Sequence, residues 1–370
     1  MHATAPHPPR LARSARRRSR FHAPLAAAAA VWLGGCATTA QPVDTQQWRS
    51  DLDRRLRADV EALADEFPGR SIHRPELLEG AAAWLEGRLR AMGHEPARDV
   101  FTVQARGSRE RPIDNPGPRE IRNILVEIEG TESPETIIVL GAHYDAVPQT
   151  PGADDNASGV AVGLALAEYF RGRPQPVTLR FEFYPNEEFS RADWGSLRRA
   201  RASREAGEDV RAMLSLEMLG YFTEGEVDPQ VRALTGAIGV DTPGNETFVA
   251  VATQPRFEAL VERIAGDWPG PVEVVPVAAR LAVPLAGRSD NWAYWQADYP
   301  AAIVTDTSFM RNPNYHTPAD TPATLDYARM ALVTENLRTV VERLAADPPP
   351  TVLEPPMGDG DGDDDPDSKD

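Results

Sequence analysis

Thr136-Ile137-Ile138-Val139-Leu140-Gly141-Ala142-His143-Tyr144-Asp145 decides how this chain is read. Four consecutive large apolar residues leave no polar face, so the segment predicts a strand in a sheet covered on both sides. The run stops at a glycine and then delivers a histidine and an aspartate two residues apart. In open α/β sheets ligands bind beyond the carboxyl ends of the strands, which is where such polar groups would stand.

Outward from this strand the pattern alternates. Leu52, Leu56, Val60 and Leu63 fall at helical spacing and predict a helix over 48–67, with a second over 77–92. Strands follow at 121–128 and 136–140, a helix at 158–170, a strand at 177–183, a helix at 192–206 and a strand at 213–218. A helix at 257–265, a strand at 301–304 and a last helix at 325–345 complete the body. The implied fold class is α/β in three layers, a mixed, mostly parallel central sheet flanked by helices. On this map His143 follows one strand, Glu187 and Glu188 follow a second, and Glu217 ends a third. Asp155 precedes the helix opened by Ala157-Ser158-Gly159, where a helix cap is the simpler reading. His316 lies in Tyr315-His316-Thr317-Pro318. Histidine nitrogen and carboxylate oxygen are ligands that suit zinc and related divalent ions. His73 and His94 fall among polar loop residues and are read as surface groups.

The first 35 residues read as an export leader. Six arginines precede an alanine-rich apolar run too short to span a bilayer, and Leu33-Gly34-Gly35-Cys36 resembles a lipobox. The resemblance implies cleavage before Cys36 and lipidation of its thiol; an ordinary secretory signal is the alternative, and a twin-arginine route through Arg16–Arg18 stays open. The expected location is the bacterial cell envelope, lipid-anchored in the outer membrane and facing the periplasm, or otherwise periplasmic or secreted. Cys36 is the only cysteine, which excludes disulfides, cysteine-bound zinc and a thiol nucleophile from the mature chain. Removing the leader takes the formal charge from −17 to −23. So acidic a surface repels phosphate backbones, which argues against a nucleic-acid partner, and suits a peptide's free amino group. A polar tether over 36–47, one large domain over 48–346 and a Pro- and Asp-rich tail over 347–370 follow, the tail being expected to be disordered. Its Asp359-Gly360-Asp361-Gly362-Asp363 run lacks the later glutamate of a calcium loop. Oligomeric state is not legible in the sequence.

Taken in order, Gly141-Ala142-His143-Tyr144-Asp145, Pro151-Gly152-Ala153-Asp154-Asp155-Asn156-Ala157-Ser158-Gly159, Asn186-Glu187-Glu188, Leu216-Glu217-Met218 and Tyr315-His316-Thr317-Pro318-Ala319-Asp320 resemble the M28 family of zinc aminopeptidases. The resemblance spans nearly the whole body. It implies the zinc aminopeptidase, phosphorylase/hydrolase-like form of the fold and two zinc ions, Zn2+, bridged by a carboxylate and a water. Carried over residue by residue, His143 and Glu217 bind one ion, Glu188 and His316 the other, and Asp155 bridges them. Asp155 is chosen over Asp154 because it directly precedes Asn156-Ala157-Ser158-Gly159. Glu187 becomes the general base that takes a proton from the attacking water and returns it to the departing amine. Asp145 becomes the aspartate that accepts a hydrogen bond from the liganding imidazole and fixes its tautomer. Many members have an aspartate where this chain has Glu217; the longer side chain reaches the same ion from a more withdrawn backbone. A cis peptide after Asp155 is also implied.

The implied activity is a dinuclear zinc metallopeptidase that removes N-terminal residues from peptides with a free amino terminus. A glutaminyl cyclase on the same fold, a carboxypeptidase-like member and a non-catalytic binding lipoprotein are the alternatives. Retention of all five ligand positions and of Glu187 favours hydrolysis. Substrate contacts are expected from loops at 222–241 and 284–294. Met218, Tyr221, Trp292, Phe309 and Tyr315 are candidates for an apolar pocket, and Arg311, Asn312 and Tyr315 for substrate binding. Ser289 and Asp290 resemble a family segment near the cleft, without an assigned role.

Overall fold

A computed structural model describes residues 41–106, 116–227, 229–237 and 239–351. The leader, Cys36 and the acidic tail from residue 352 onward lie outside the described residues. Among the described residues no helix is long and apolar enough to cross a membrane.

The strands are β1 (Ala97–Ala105), β2 (Gly117–Ile128), β3 (Ser133–His143), β4 (Val177–Tyr184), β5 (Asp209–Glu217), β6 (Val249–Ala252), β7 (Val274–Val277) and β8 (Ala301–Thr305). They form one sheet in the order β1-β2-β4-β3-β5-β8-β6-β7. The central β4, β3, β5 and β8 run parallel, while β1–β2, β2–β4 and β8–β6 pair antiparallel and β6–β7 pair parallel. The apolar run on β3 is buried on both faces, as expected. Ile138 and Leu140 enter one core, and Ile137 and Val139 enter the other. Strand alternation sends neighbouring side chains to opposite faces, so an unbroken apolar run suits a strand sandwiched in this way. Truncating a fully buried leucine such as Leu140 to alanine costs about 2–5 kcal/mol.

The helices are α1 (Thr45–Ser50), α2 (Leu52–Glu66), α3 (Pro75–Ala91), α4 (Gly159–Phe170), α5 (Gly195–Ala206), α6 (Pro229–Ala237), α7 (Glu258–Asp267), α8 (Val283–Ala286), α9 (Asn291–Gln296) and α10 (Tyr327–Ala346). The first core gathers α2, α3, α4, α7 and α10, and the second gathers α5 and α9, which gives the three layers. Leu52, Leu56, Val60 and Leu63 are all fully buried.

Three expectations need correction. Helical structure begins at Thr45, inside the stretch read as tether, because Asp44 caps it and Arg173 ties down the Val43 carbonyl and the Thr45 hydroxyl. Strands β1, β6 and β7 were not anticipated. His94 is buried, with Nε2 3.1 Å from the Ala167 carbonyl oxygen, rather than a surface group. His73 packs against the Phe189 ring at 4.8 Å.

Candidate metal centre

The parallel strands deliver their ends to one place. His143 is the last residue of β3 and pairs in register with Tyr184, the last of β4, from which Glu187 and Glu188 follow. Glu217 ends β5 beside Thr305 of β8. Asp155 sits in the wound turn Ala153–Ser158 that leads into α4, and the Asp155–Asn156 peptide is cis. His316 comes from the loop after β8. Asn186 (φ 71°), Met218 (φ 47°) and His316 (φ 57°) occupy the left-handed region. Each costs of order 1–3 kcal/mol, so the surrounding structure holds the backbone here against its own preference.

Two groups of ligand-type atoms share Asp155: His143, Asp155 and Glu217 in one, and Asp155, Glu188 and His316 in the other. His143 Nε2 lies 3.3 Å from both Asp155 Oδ1 and Glu217 Oε2. His316 Nε2 lies 3.1 Å from Asp155 Oδ2 and 3.0 Å from Glu188 Oε2. Asp155 therefore offers one oxygen to each side. Both imidazole nitrogens are buried and make no hydrogen bond of acceptable geometry. With zinc–ligand bonds of about 2.0–2.1 Å, tetrahedral ligand atoms stand about 3.3–3.4 Å apart, so the observed spacing fits a shared cation on each side.

The electrostatics agree. Burial disfavours a charged His143, yet Glu217, Asp145 and Asp155 together raise its pKa well above 6.5. His316 is likewise raised to about 10 by Asp155 and Glu188 against its burial. Burial and the Asp155 charge lift Glu188 to about 7. Loss of surrounding water lifts Glu187 well above the carboxylate range, with Glu217 and Glu188 adding to the pull of burial and His143 opposing it. In this protein-only state protons occupy the role of cations, and divalent ions would relieve the same crowding of negative charge.

Several residues hold the ligands in place. Asp145 accepts the backbone N–H groups of Glu187 (3.0 Å) and Glu188 (3.2 Å), and its Oδ1 lies 3.4 Å from His143 Nδ1. Asp320 accepts the N–H groups of Asp154 and Asp155. Asp154 itself points elsewhere, accepting from the Gly220 N–H and from Asn312 Nδ2. Sequence reasoning missed two supports. The Ser289 hydroxyl donates to Glu217 Oε2 at 2.7 Å, a role its place in a recognised segment did not reveal. Arg70, fully buried, donates to the carbonyls of Tyr144, Pro151 and Gly152. Burial lowers its pKa to about 10 against the opposing charges of Asp145, Asp320 and Asp155, and nothing in its local sequence marks it.

An open cleft of about 1010 Å³ adjoins the centre, with Asp155, Glu187 and Glu217 on its lining. Its apolar wall comes from Ala250 and Ala252 of β6, Val275 and Val277 of β7 and Ile303 of β8, together with Val231, Val240, Leu285 and Ala286 of the two segments expected to supply substrate contacts. Of the five expected pocket residues, Phe309 and Tyr315 line the cleft. Met218 is buried, the Tyr221 N–H donates to Asp306, and Trp292 meets Trp194 edge-on at 5.7 Å. Tyr315 stacks on His316 at 3.8 Å between ring centres. Arg311 and Asn312 are buried away from the lining: Arg311 Nη1 donates to the Phe248 carbonyl at 2.8 Å, and Asn312 Nδ2 to Asp154 Oδ2 at 2.7 Å.

A family model described as Peptidase family M28 matches residues 123–341. The uncharacterized protein YfbL of Escherichia coli (strain K12) is 32% identical over 265 residues, covering 67% of this chain and 78% of that protein. The probable aminopeptidase YDR415C of Saccharomyces cerevisiae is 24% identical over 286 residues, covering 72% of this chain and 66% of that protein. The solved aminopeptidase from Aneurinibacillus sp. strain AM-1 aligns with a TM-score of 0.60 at 16% identity, over 84% of this chain and 98% of that one. A solved Fimbriiglobus ruber glutaminyl cyclase aligns with a TM-score of 0.57 at 18% identity, over 78% of this chain and 94% of that one. The two structures speak for the fold, whereas the matched span contains His143, Asp155, Glu187, Glu188, Glu217 and His316. The chain belongs to peptidase family M28 and is a hydrolase.

Proposed function

We propose that this protein is a dinuclear zinc aminopeptidase of the bacterial envelope, anchored through lipidated Cys36 and removing N-terminal residues from peptides. The observation that supports this reading is the pair of ligand groups sharing Asp155 through opposite oxygens. In it His143 and Glu217 hold one ion, Glu188 and His316 the other. Zinc held by these residues would polarise the scissile carbonyl and lower the pKa of the attacking water. Glu187, partly exposed on the cleft lining, accepts that water's proton and passes it to the departing amine nitrogen, so its carboxylate is regenerated in each cycle. The chain's net negative charge favours approach of a peptide's protonated amino terminus.

A glutaminyl cyclase reading is favoured by the shared fold of the solved cyclase. Against it stand all five ligand positions and Glu187. Among the described residues that line the cleft Arg288 is the only cation, which leaves little support for a carboxypeptidase-like site built from several. The deciding experiment incubates the zinc-loaded soluble domain with matched aminoacyl and N-acetyl-aminoacyl amides and with peptides beginning in glutamine. Cleavage that requires the free amine is the expected outcome. Equal cleavage of blocked substrates would overturn the exopeptidase assignment, and cyclisation without hydrolysis would establish the cyclase.

A further inference from the structure

Arg288 stands apart from the other arginines around the cleft. Arg191 donates to the Gly287 carbonyl and Arg311 to that of Phe248. Arg288 has no hydrogen-bond or ion-pair partner among the described residues, in a chain with 56 acidic and 39 basic side chains. Arg288 is itself exposed, and it lies on the wall of the cleft that also carries Asp155, Glu187 and Glu217.

Its position is tied to both halves of the metal centre. On one side the next residue, Ser289, hydrogen-bonds Glu217 Oε2 at 2.7 Å. On the other the guanidinium lies over the Phe309 ring at 4.9 Å, Phe309 packs on Tyr315 at 5.8 Å, and Tyr315 stacks on His316. A cation–π contact holds the guanidinium plane while leaving its N–H edges free to donate. The fork of donors matches a carboxylate in a bidentate pair.

We propose that Arg288 is a specificity-determining residue whose guanidinium receives a carboxylate of the bound peptide. The inference rests on the aminopeptidase reading above. The carboxylate has two sources: the side chain of an acidic first residue, or the terminal carboxylate of a dipeptide. No other cationic side chain stands on the described lining of the cleft.

The test uses zinc-loaded protein and two matched pairs, Glu-Ala-amide against Gln-Ala-amide, and Leu-Gly against Leu-Gly-amide. We expect kcat/KM to favour the carboxylate member of one pair by about tenfold or more, and the pair showing it identifies the source. Arg288→Met keeps the apolar stem, and its ratio should fall to about one; Arg288→Lys should retain part of the preference. Calorimetric titration of the Glu187→Gln protein with the same four peptides, with and without Arg288→Met, reads the contact without turnover. Ratios near one for both pairs, or a preference that survives Arg288→Met, overturn the proposal even where the peptides are cleaved. If none of the four peptides is hydrolysed, the aminopeptidase reading fails, and the binding ratios still decide whether Arg288 pairs with a carboxylate.

Discussion

Asp145 accepts the backbone N–H of Glu187 through Oδ1 at 3.0 Å. Its other oxygen takes the Glu188 N–H, and Oδ1 also faces His143 Nδ1, so one carboxylate orients a ligand in each of the two groups. In Asp145→Asn an amide nitrogen must face a backbone donor, and one of these contacts is lost. Zinc affinity should fall by about 10–100-fold, read by competition with a chromophoric chelator. Unchanged affinity would show that the strand ends hold the ligands without help.

Because Asp155 serves both sides, its removal and that of His316 should differ in kind. Wild-type protein is expected to retain two zinc ions per chain after dialysis, His316→Ala one, and Asp155→Ala fewer than either. Elemental analysis decides it, and one ion in the wild type would remove the dinuclear proposal.

Zinc loading should release protons. In the metal-free protein His316 titrates near 10 and His143 well above 6.5, so at neutral pH both carry a proton that a cation must displace. Apparent affinity therefore rises with pH through the neutral range, and for His316 the gain ends as pH passes about 10. Calorimetry in buffers of different ionisation enthalpy counts the protons; no release would contradict the direction of these shifts.

Replacing Glu187 with glutamine preserves shape but removes the proton acceptor. Metal content should stay near that of the wild type while kcat falls by about 10²–10⁴. A parallel loss of zinc would place Glu187 among the ligands.

His94 should make the fold sensitive to acid. Burial lowers its pKa below 6.5, the Ala167 carbonyl opposes this, and the charge of Arg171 adds to it. The unfolded chain takes up a proton near 6.5 and the folded chain only at lower pH, so this contribution is intact above 6.5 and is lost as pH falls below it. Urea unfolding at about pH 7.5 and about pH 5.5 should show a smaller acid-induced loss for His94→Gln than for the wild type. Equal losses would mean that His94 titrates alike in both states.

The central strands were legible because burial on both faces writes an unbroken apolar run, as at Ile137–Leu140. His143, Glu188 and Glu217 were legible because each stands at or just past the end of a central strand, and Asp155 and His316 because the short motifs around them resemble the family's. The outer strands were not. β6 is only Val249–Ala252, and β7 contains Pro276, which cannot donate to a ladder and is tolerated because β7 lies at the sheet edge beside β6 alone. β1 alternates exposed and half-buried residues along most of its length, so no continuous apolar signal marks it. Arg70 and Ser289 were invisible for another reason: their roles depend on carbonyls and a carboxylate brought close only by folding.

His143, Glu188 and Glu217 hang from the ends of β3, β4 and β5, Asp155 from the turn before α4 and His316 from the loop after β8, whereas β6 and β7 carry wall residues of the cleft and none of the five ligands. This division of labour lets part of the pocket wall be altered without replacing a ligand. Substitutions confined to these short outer strands would reshape the space beside the substrate while leaving the ion-binding groups on their own separate supports.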